Sequence, residues 1–127
     1  MIDNKLNRIK ILAFKIRRIN EKIKKLRHKI EYHASIYSEL LKNFNYKNNM
    51  LEIFISRVEE LETKKTELQI ELDKILDEFA FLSEISYKIL VYRCINNLSW
   101  DQIVQKTGYS KSSCFRFFNE IKKYDSS

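Results

Sequence analysis

The sequence predicts an all-α protein, a long antiparallel coiled-coil helical hairpin followed by a C-terminal three-helix, helix-turn-helix domain. Three observations carry that expectation. The 127 residues include one glycine and no proline, whereas sandwiches and barrels need turn residues every few positions. From Ile9 to Leu82 apolar residues recur about every 3.5 positions, the coiled-coil repeat. The single glycine, Gly108, sits between two short apolar-periodic segments in LSWDQIVQKTGYSKSSCFRFF, residues 98–118.

With Ile9 at an a position, the a sites are Ile9, Ile16, Ile23, Ile30, Tyr37, Phe44, Leu51, Val58, Lys65, Leu72 and Phe79. The d sites are Leu12, Ile19, Leu26, His33, Leu40, Lys47, Phe54, Leu61, Leu68, Ile75 and Leu82. Lys47, Lys65 and His33 interrupt this seam. A continuous rod and a folded hairpin both keep the phase. The break expected for a hairpin is NFNYKNN, residues 43–49, whose four asparagines disfavour helix. Charge favours the hairpin. Folding back near residue 45 sets Lys15 and Lys22 opposite Glu78 and Glu71, whereas a parallel dimer of the first half offers Lys22 only Arg27. Ile11, Phe14, Tyr32, Ile36, Leu41, Ile53, Ile55, Ile70 and Leu76 lie off the seam. Two helices cannot bury both sets, so the sequence predicts a homodimer through the coiled coil or docking on a protein partner, unless some pack on the C-terminal helices.

Charge is segregated. Residues 1–49 hold 13 Lys/Arg against 4 Asp/Glu, residues 50–85 hold 4 against 10, and residues 86–127 hold 7 against 3. The first two blocks can neutralise one another, which leaves the third as the better candidate for a polyanion. Asp3, Lys5 and Arg8 near the start speak against a secretory signal, and no stretch approaches the roughly 18 apolar residues of a membrane span, so a cytoplasmic protein is expected. Cys94 and Cys114 lack zinc spacing and read as buried thiols. His33 reads as an interface histidine, and Glu59, Glu60 and Glu62 as a solvated helix face. The sequence offers no catalytic constellation, metal cluster or cofactor motif, so an enzyme is not expected.

In the last third a helix is expected over residues 84–96, with Ile85, Ile89, Leu90, Tyr92 and Ile95 on its apolar face. Ser99 and Gln102 form a capping-box pattern that starts a second helix, Trp100 to Thr107, burying Ile103 and Val104. Gly108 suits the left-handed end of that helix. Ser110 then caps a third helix to about Lys123, with Cys114, Phe117, Ile121 and Tyr124 inward. Val104 four residues before the glycine and Cys114 six after it have the spacing of a helix-turn-helix, which presents the first turn of its second helix to the major groove. Arg116 is the expected base reader, because a guanidinium binds guanine in two-point fashion. Lys111, Ser112, Ser113, Phe115 and Asn119 share the exposed part of that helix, and its first amides favour phosphate. Phe115 and Phe118 leave open an alternative in which this surface docks a protein.

Residues 86–124, with Tyr92-Arg93, the LSW entry, QIV and G-x-S before an Arg-bearing helix, resemble region 4 of bacterial sigma factors. With the coiled coil in front, the layout is similar to ArpU-like and RinA-like phage late-gene transcription regulators. That resemblance implies sequence-specific double-stranded DNA binding, in a bacterial host cell, at a phage or mobile-element promoter. It carries recognition to Lys111, Ser112, Ser113 and Arg116, with Lys106 and Tyr109 on the backbone. Val104, Thr107 and Cys114 depart from the usual alanine, leucine and valine. The resulting division is residues 1–83 for oligomerisation or partner binding, with RNA polymerase or a repressor among the partners, and residues 84–127 for DNA. A phage packaging-motor DNA-recognition subunit is a further alternative.

Overall fold

A computed structural model describes residues 4–43 and 49–126. It is all-helical, with no strand among the described residues: α1 is Lys5–Asn43, α2 Asn49–Asp77, α3 Glu84–Leu90, α4 Trp100–Thr107 and α5 Lys111–Ser126. Of the expected break at 43–49, Asn43 ends α1 and Asn49 begins α2; residues 44–48 lie outside the described ones. No helix among the described residues is long and apolar enough to cross a membrane. The chain forms two compact units, Ile16–Leu68 and Met1–Lys15 with Gln69–Ser127. The start of α1 therefore groups with the C-terminal helices, not with the rest of an independent 1–83 segment.

In the Ile16–Leu68 unit the seam behaves as its period predicts. Ile16, Ile19, Ile23, Leu61 and Leu68 are buried. Leu26, Ile30, His33, Leu51, Phe54, Val58 and Lys65 are half-buried, so none of the described seam positions here is exposed. The side chains at Tyr37, Leu40, Leu41, Phe44 and Lys47 are outside the described ones. Arg27 donates to Glu62 at 2.8 Å, and the His33 ring packs on Phe54 at 5.2 Å. As the position rises along α1 the partner falls along α2, so the two segments run antiparallel. Tyr32, Ile36, Ile53 and Ile55 stay exposed, which is what two helices with one shared seam must leave uncovered.

The other unit begins with a cap assembled from both ends of the chain. Asn4 Oδ1 accepts the Asn7 amide at 2.7 Å, while the Asp125 carboxylate accepts the amides of Lys5 at 2.8 Å and Leu6 at 3.3 Å. These are the first amides of α1, which have no partner within their own helix, and an anion there also opposes the helix dipole favourably. Lys5 reaches Glu78 at 3.3 Å and lies over the Tyr124 ring, and Arg8 pairs with Glu71. This corrects the expected pairs Lys15–Glu78 and Lys22–Glu71. A heptad repeat is unchanged by any seven-residue slide, so periodicity does not choose the register. Docking of the α1 start on Asp125 places Lys5 and Arg8, not Lys15 and Lys22, beside those carboxylates.

Around that junction Leu6, Ile9, Leu12, Leu72, Phe79, Ile89, Leu90, Cys94, Ile103, Cys114, Phe118 and Ile121 are buried. Ile11, Phe14 and Ile70 remain exposed and Leu76 is half-buried, so packing on the C-terminal helices does not absorb the off-seam residues. The helix expected over 84–96 keeps α-helical form to Leu90 and ends in a π turn over Val91–Ile95, with the Asn96 amide bonded to the Val91 carbonyl at 2.9 Å. The wider turn brings Cys94 into the core beside Ile89 and Leu90. Burial pushes its thiol up to about 11. Asn97, at φ 55°, then reverses the chain, a left-handed position that asparagine tolerates better than most residues.

The inner face of α5 is Cys114, Phe118 and Ile121. Phe117 is half-buried and Tyr124 exposed, a correction to the expected set. Spacings of three and four both fit a helix, and Trp100 decides between them by packing on Phe118 at 5.3 Å.

Candidate nucleic-acid interface

The corner between α4 and α5 is built from local bonds that the sequence makes legible. Ser99 Oγ accepts the Gln102 amide at 3.2 Å and Gln102 Oε1 accepts the Ser99 amide at 2.9 Å, the two halves of a capping box. Gly108, at φ 76°, ends α4 in the left-handed region with its amide on the Val104 carbonyl at 2.9 Å. Ser110 Oγ accepts the Ser113 amide at 3.2 Å, starting α5. A Cβ on residue 108 meets nothing within 4 Å, so the demand on glycine is backbone conformation alone. Gly108→Ala is therefore expected to cost about 1 kcal/mol, left-handed strain less the entropy that alanine removes from the unfolded chain, in chemical denaturation.

Thr107 and Cys114 meet inside this corner. Thr107 Oγ1 donates to the Ile103 carbonyl at 2.9 Å and lies 3.7 Å from the Cys114 sulfur. A hydroxyl thus lies beside a thiol in this contact, and Cys114 is completely buried. Val104 is half-buried, one step off the fully buried Ile103.

The Tyr92-Arg93 pair and the LSW entry are one clamp. Arg93 donates to the Leu98 carbonyl at 2.9 Å, its guanidinium lies 4.9 Å from the Trp100 ring centre, and the Leu98 amide bonds the Tyr92 carbonyl at 2.9 Å. Sequence reading missed this role for Arg93. The signal was a cation seven residues before a tryptophan with a helix end between them, which becomes a contact once Asn97 reverses the chain.

Of the seven residues expected to touch DNA, Ser112, Arg116 and Asn119 share one surface. On α5, Lys111, Ser112, Arg116 and Asn119 are exposed, while Ser113 is half-buried. Lys106 on α4 and Tyr109 in the corner are exposed, with Tyr109 edge-on to Phe117 at 5.4 Å. Ser112, Phe115, Arg116, Asn119, Glu120, Lys122 and Lys123 line a shallow trough along the outer face of α5. Phe115, Lys122 and Lys123 thus join the surface, legible as the same face at spacings of three and four from Ser112 and Arg116. Lys111 is set apart: its ammonium lies 3.4 Å from Asp101 in the first turn of α4.

Electrostatically the outer surface is basic at the corner. Among the described residues Lys106, Arg116 and Lys123 have no salt bridge, and Arg116 lies 5.4 Å over the Phe117 ring. Glu120 ends the acid-free run one turn after Arg116. Among the described residues no group of three or more His, Cys, Asp or Glu side chains stands where it could hold a metal. His33 sits between Tyr32 and Phe54, 5.7 and 5.2 Å away. Compared with family models, curated proteins and solved structures, the chain matches none.

Proposed function

We propose that this chain is a sequence-specific double-stranded DNA-binding transcription regulator. In this reading α1 and α2 are a coiled-coil hairpin, α4 and α5 a helix-turn-helix, and α5 lies in the major groove. The observation that supports it best is the outer face of α5. A doubly capped corner presents Ser112, Arg116 and Asn119 outward, with no carboxylate on α5 before Glu120. Lys106 and Lys123 would meet phosphate, and Arg116 a guanine edge. The exposed apolar residues of α1 and α2 fit a homodimer through the coiled coil, which places two reading helices on one site. The sigma-region-4 resemblance supports a promoter in a phage or mobile element as the target, and the bacterial cytoplasm as the compartment.

The test is a gel shift with duplex DNA from upstream of the chain's own operon at two salt concentrations. A complex that weakens steeply with salt is expected, since neutralised phosphates release counterions. No shift at low salt would turn the reading to a coiled-coil interaction protein that binds RNA polymerase or a repressor. Light scattering separates a dimer from the ring of a packaging-motor subunit.

Asp101 gives a sharper test. Its carboxylate holds Lys111 at the mouth of this surface, and both side chains are largely exposed. A phosphate therefore competes for Lys111 against a surface ion pair worth under about 1 kcal/mol. Asp101→Asn is expected to tighten DNA binding by about two- to fivefold at low salt, the gain fading as salt rises. Thermal unfolding should move the other way, because an acidic residue leaves the first turn of α4.

A further inference from the structure

We propose that Phe115 reads the 5-methyl group of a thymine in the half-site whose guanine Arg116 contacts. The inference rests on the DNA-binding reading and deepens it, by assigning a base type to a second position of the site. Phe115 is 38% exposed, in a trough whose other lining residues are polar or charged. Its position on the helix puts it beside Ser112, three residues earlier, and Asn119, four later, so it belongs to the outer face and not to the core edge.

The ring is held there. Trp100 packs edge-on against it at 4.8 Å, and Trp100 is itself fixed by the Arg93 guanidinium at 4.9 Å and by Phe118 at 5.3 Å. Phe118 is buried on Trp100, which leaves Phe115 the outer position on the same indole. The part of the ring that Trp100 leaves uncovered is an apolar surface on a face otherwise lined by polar and charged side chains. In the major groove thymine is the base that supplies an apolar counterpart, its C5-methyl; the remaining base edges are hydrogen-bond donors and acceptors, suited to Arg116, Ser112 and Asn119. Phe115 and Arg116 are adjacent in sequence and diverge by about 100° around the helix, so the two side chains address different bases. One ring in a polar trough is too little apolar surface for a stable protein interface.

The experiment starts from a random-sequence duplex pool enriched on the full chain. Each thymine of the enriched duplex is then replaced in turn by uracil, which removes the methyl group and leaves the hydrogen-bonding edge unchanged. One replacement is expected to weaken binding about three- to fivefold, the worth of one buried methyl group. That thymine should lie in the same half-site as the pair at which Arg116→Ala relaxes base preference. In Phe115→Ser the thymine and uracil duplexes should bind alike. Circular dichroism checks the fold of that variant, and the uracil scan on the unaltered chain decides without it. If no duplex is enriched, the DNA-binding reading falls and this one with it. If a duplex is enriched but every uracil replacement is neutral, or Phe115→Ser keeps the preference for thymine, this inference alone is overturned.

Discussion

Phe79→Ala is expected to lower the unfolding free energy by about 3–5 kcal/mol, the range for deleting a fully buried aromatic ring. The ring is completely buried and meets Tyr124 edge-on at 5.6 Å. It enters through a turn whose amides bond back three residues, Phe79 to Leu76 at 2.9 Å and Leu82 to Phe79 at 3.1 Å, so the backbone cannot easily collapse into the space left behind. The residue after Tyr124 is Asp125, which caps the start of α1, so loosening Tyr124 also loosens that cap. Against a typical domain stability of about 5–15 kcal/mol this is a large share. Phe81 supplies the control. It also touches Tyr124, at 4.5 Å, but is 60% exposed, and Phe81→Ala is expected to cost less than about 1 kcal/mol. Urea unfolding of the two variants reads the difference, and equal losses would show that the ring is not the keystone of this junction.

Phe79 also marks how far the sequence could be read. As an a position it was legible as buried, as were Ile9, Ile16, Ile23 and Leu72, because a side chain on the seam is covered whichever register the helices take. The register itself was not legible. It depends on Asp125 meeting the amides of Lys5 and Leu6, a contact across 120 positions that leaves no local pattern. Local bonds were legible. The Ser99–Gln102 box, the Gly108 reversal and the Ser110 cap each span five residues or fewer, so sequence spacing and geometry are nearly the same thing. Between these lies α5. The sequence reading put Phe117 inward where the structure buries Phe118, because spacings of three and four both fit the period and the packing of Trp100, which Arg93 contacts across a reversal at Asn97, is not a local pattern. The same indole that covers Phe118 also packs on Phe115, whose place on the outer face was legible from its spacing to Ser112 and Asn119.

Arg116→Ala is expected to weaken cognate DNA binding by about 1–3 kcal/mol, roughly 5- to 150-fold, and to relax preference at one base pair. Its side chain is exposed, and its described ring partner is Phe117 at 5.4 Å, a cation–π contact worth about 0.5–1 kcal/mol at an exposed site. That contact limits the side chain's freedom before DNA arrives, which lowers the ordering cost of a two-point bond to guanine. Removing it takes nothing from the buried set of Cys114, Phe118 and Ile121, so the melting temperature should stay close to that of the parent. Lys106→Ala provides the contrasting pattern. As a phosphate contact it should weaken cognate and random duplexes alike and reduce the salt slope by about one. The pair of variants separates the two roles on one measurement, affinity against salt for two duplexes. An Arg116→Ala protein that still binds cognate and random DNA as the parent does would remove α5 as the reading helix.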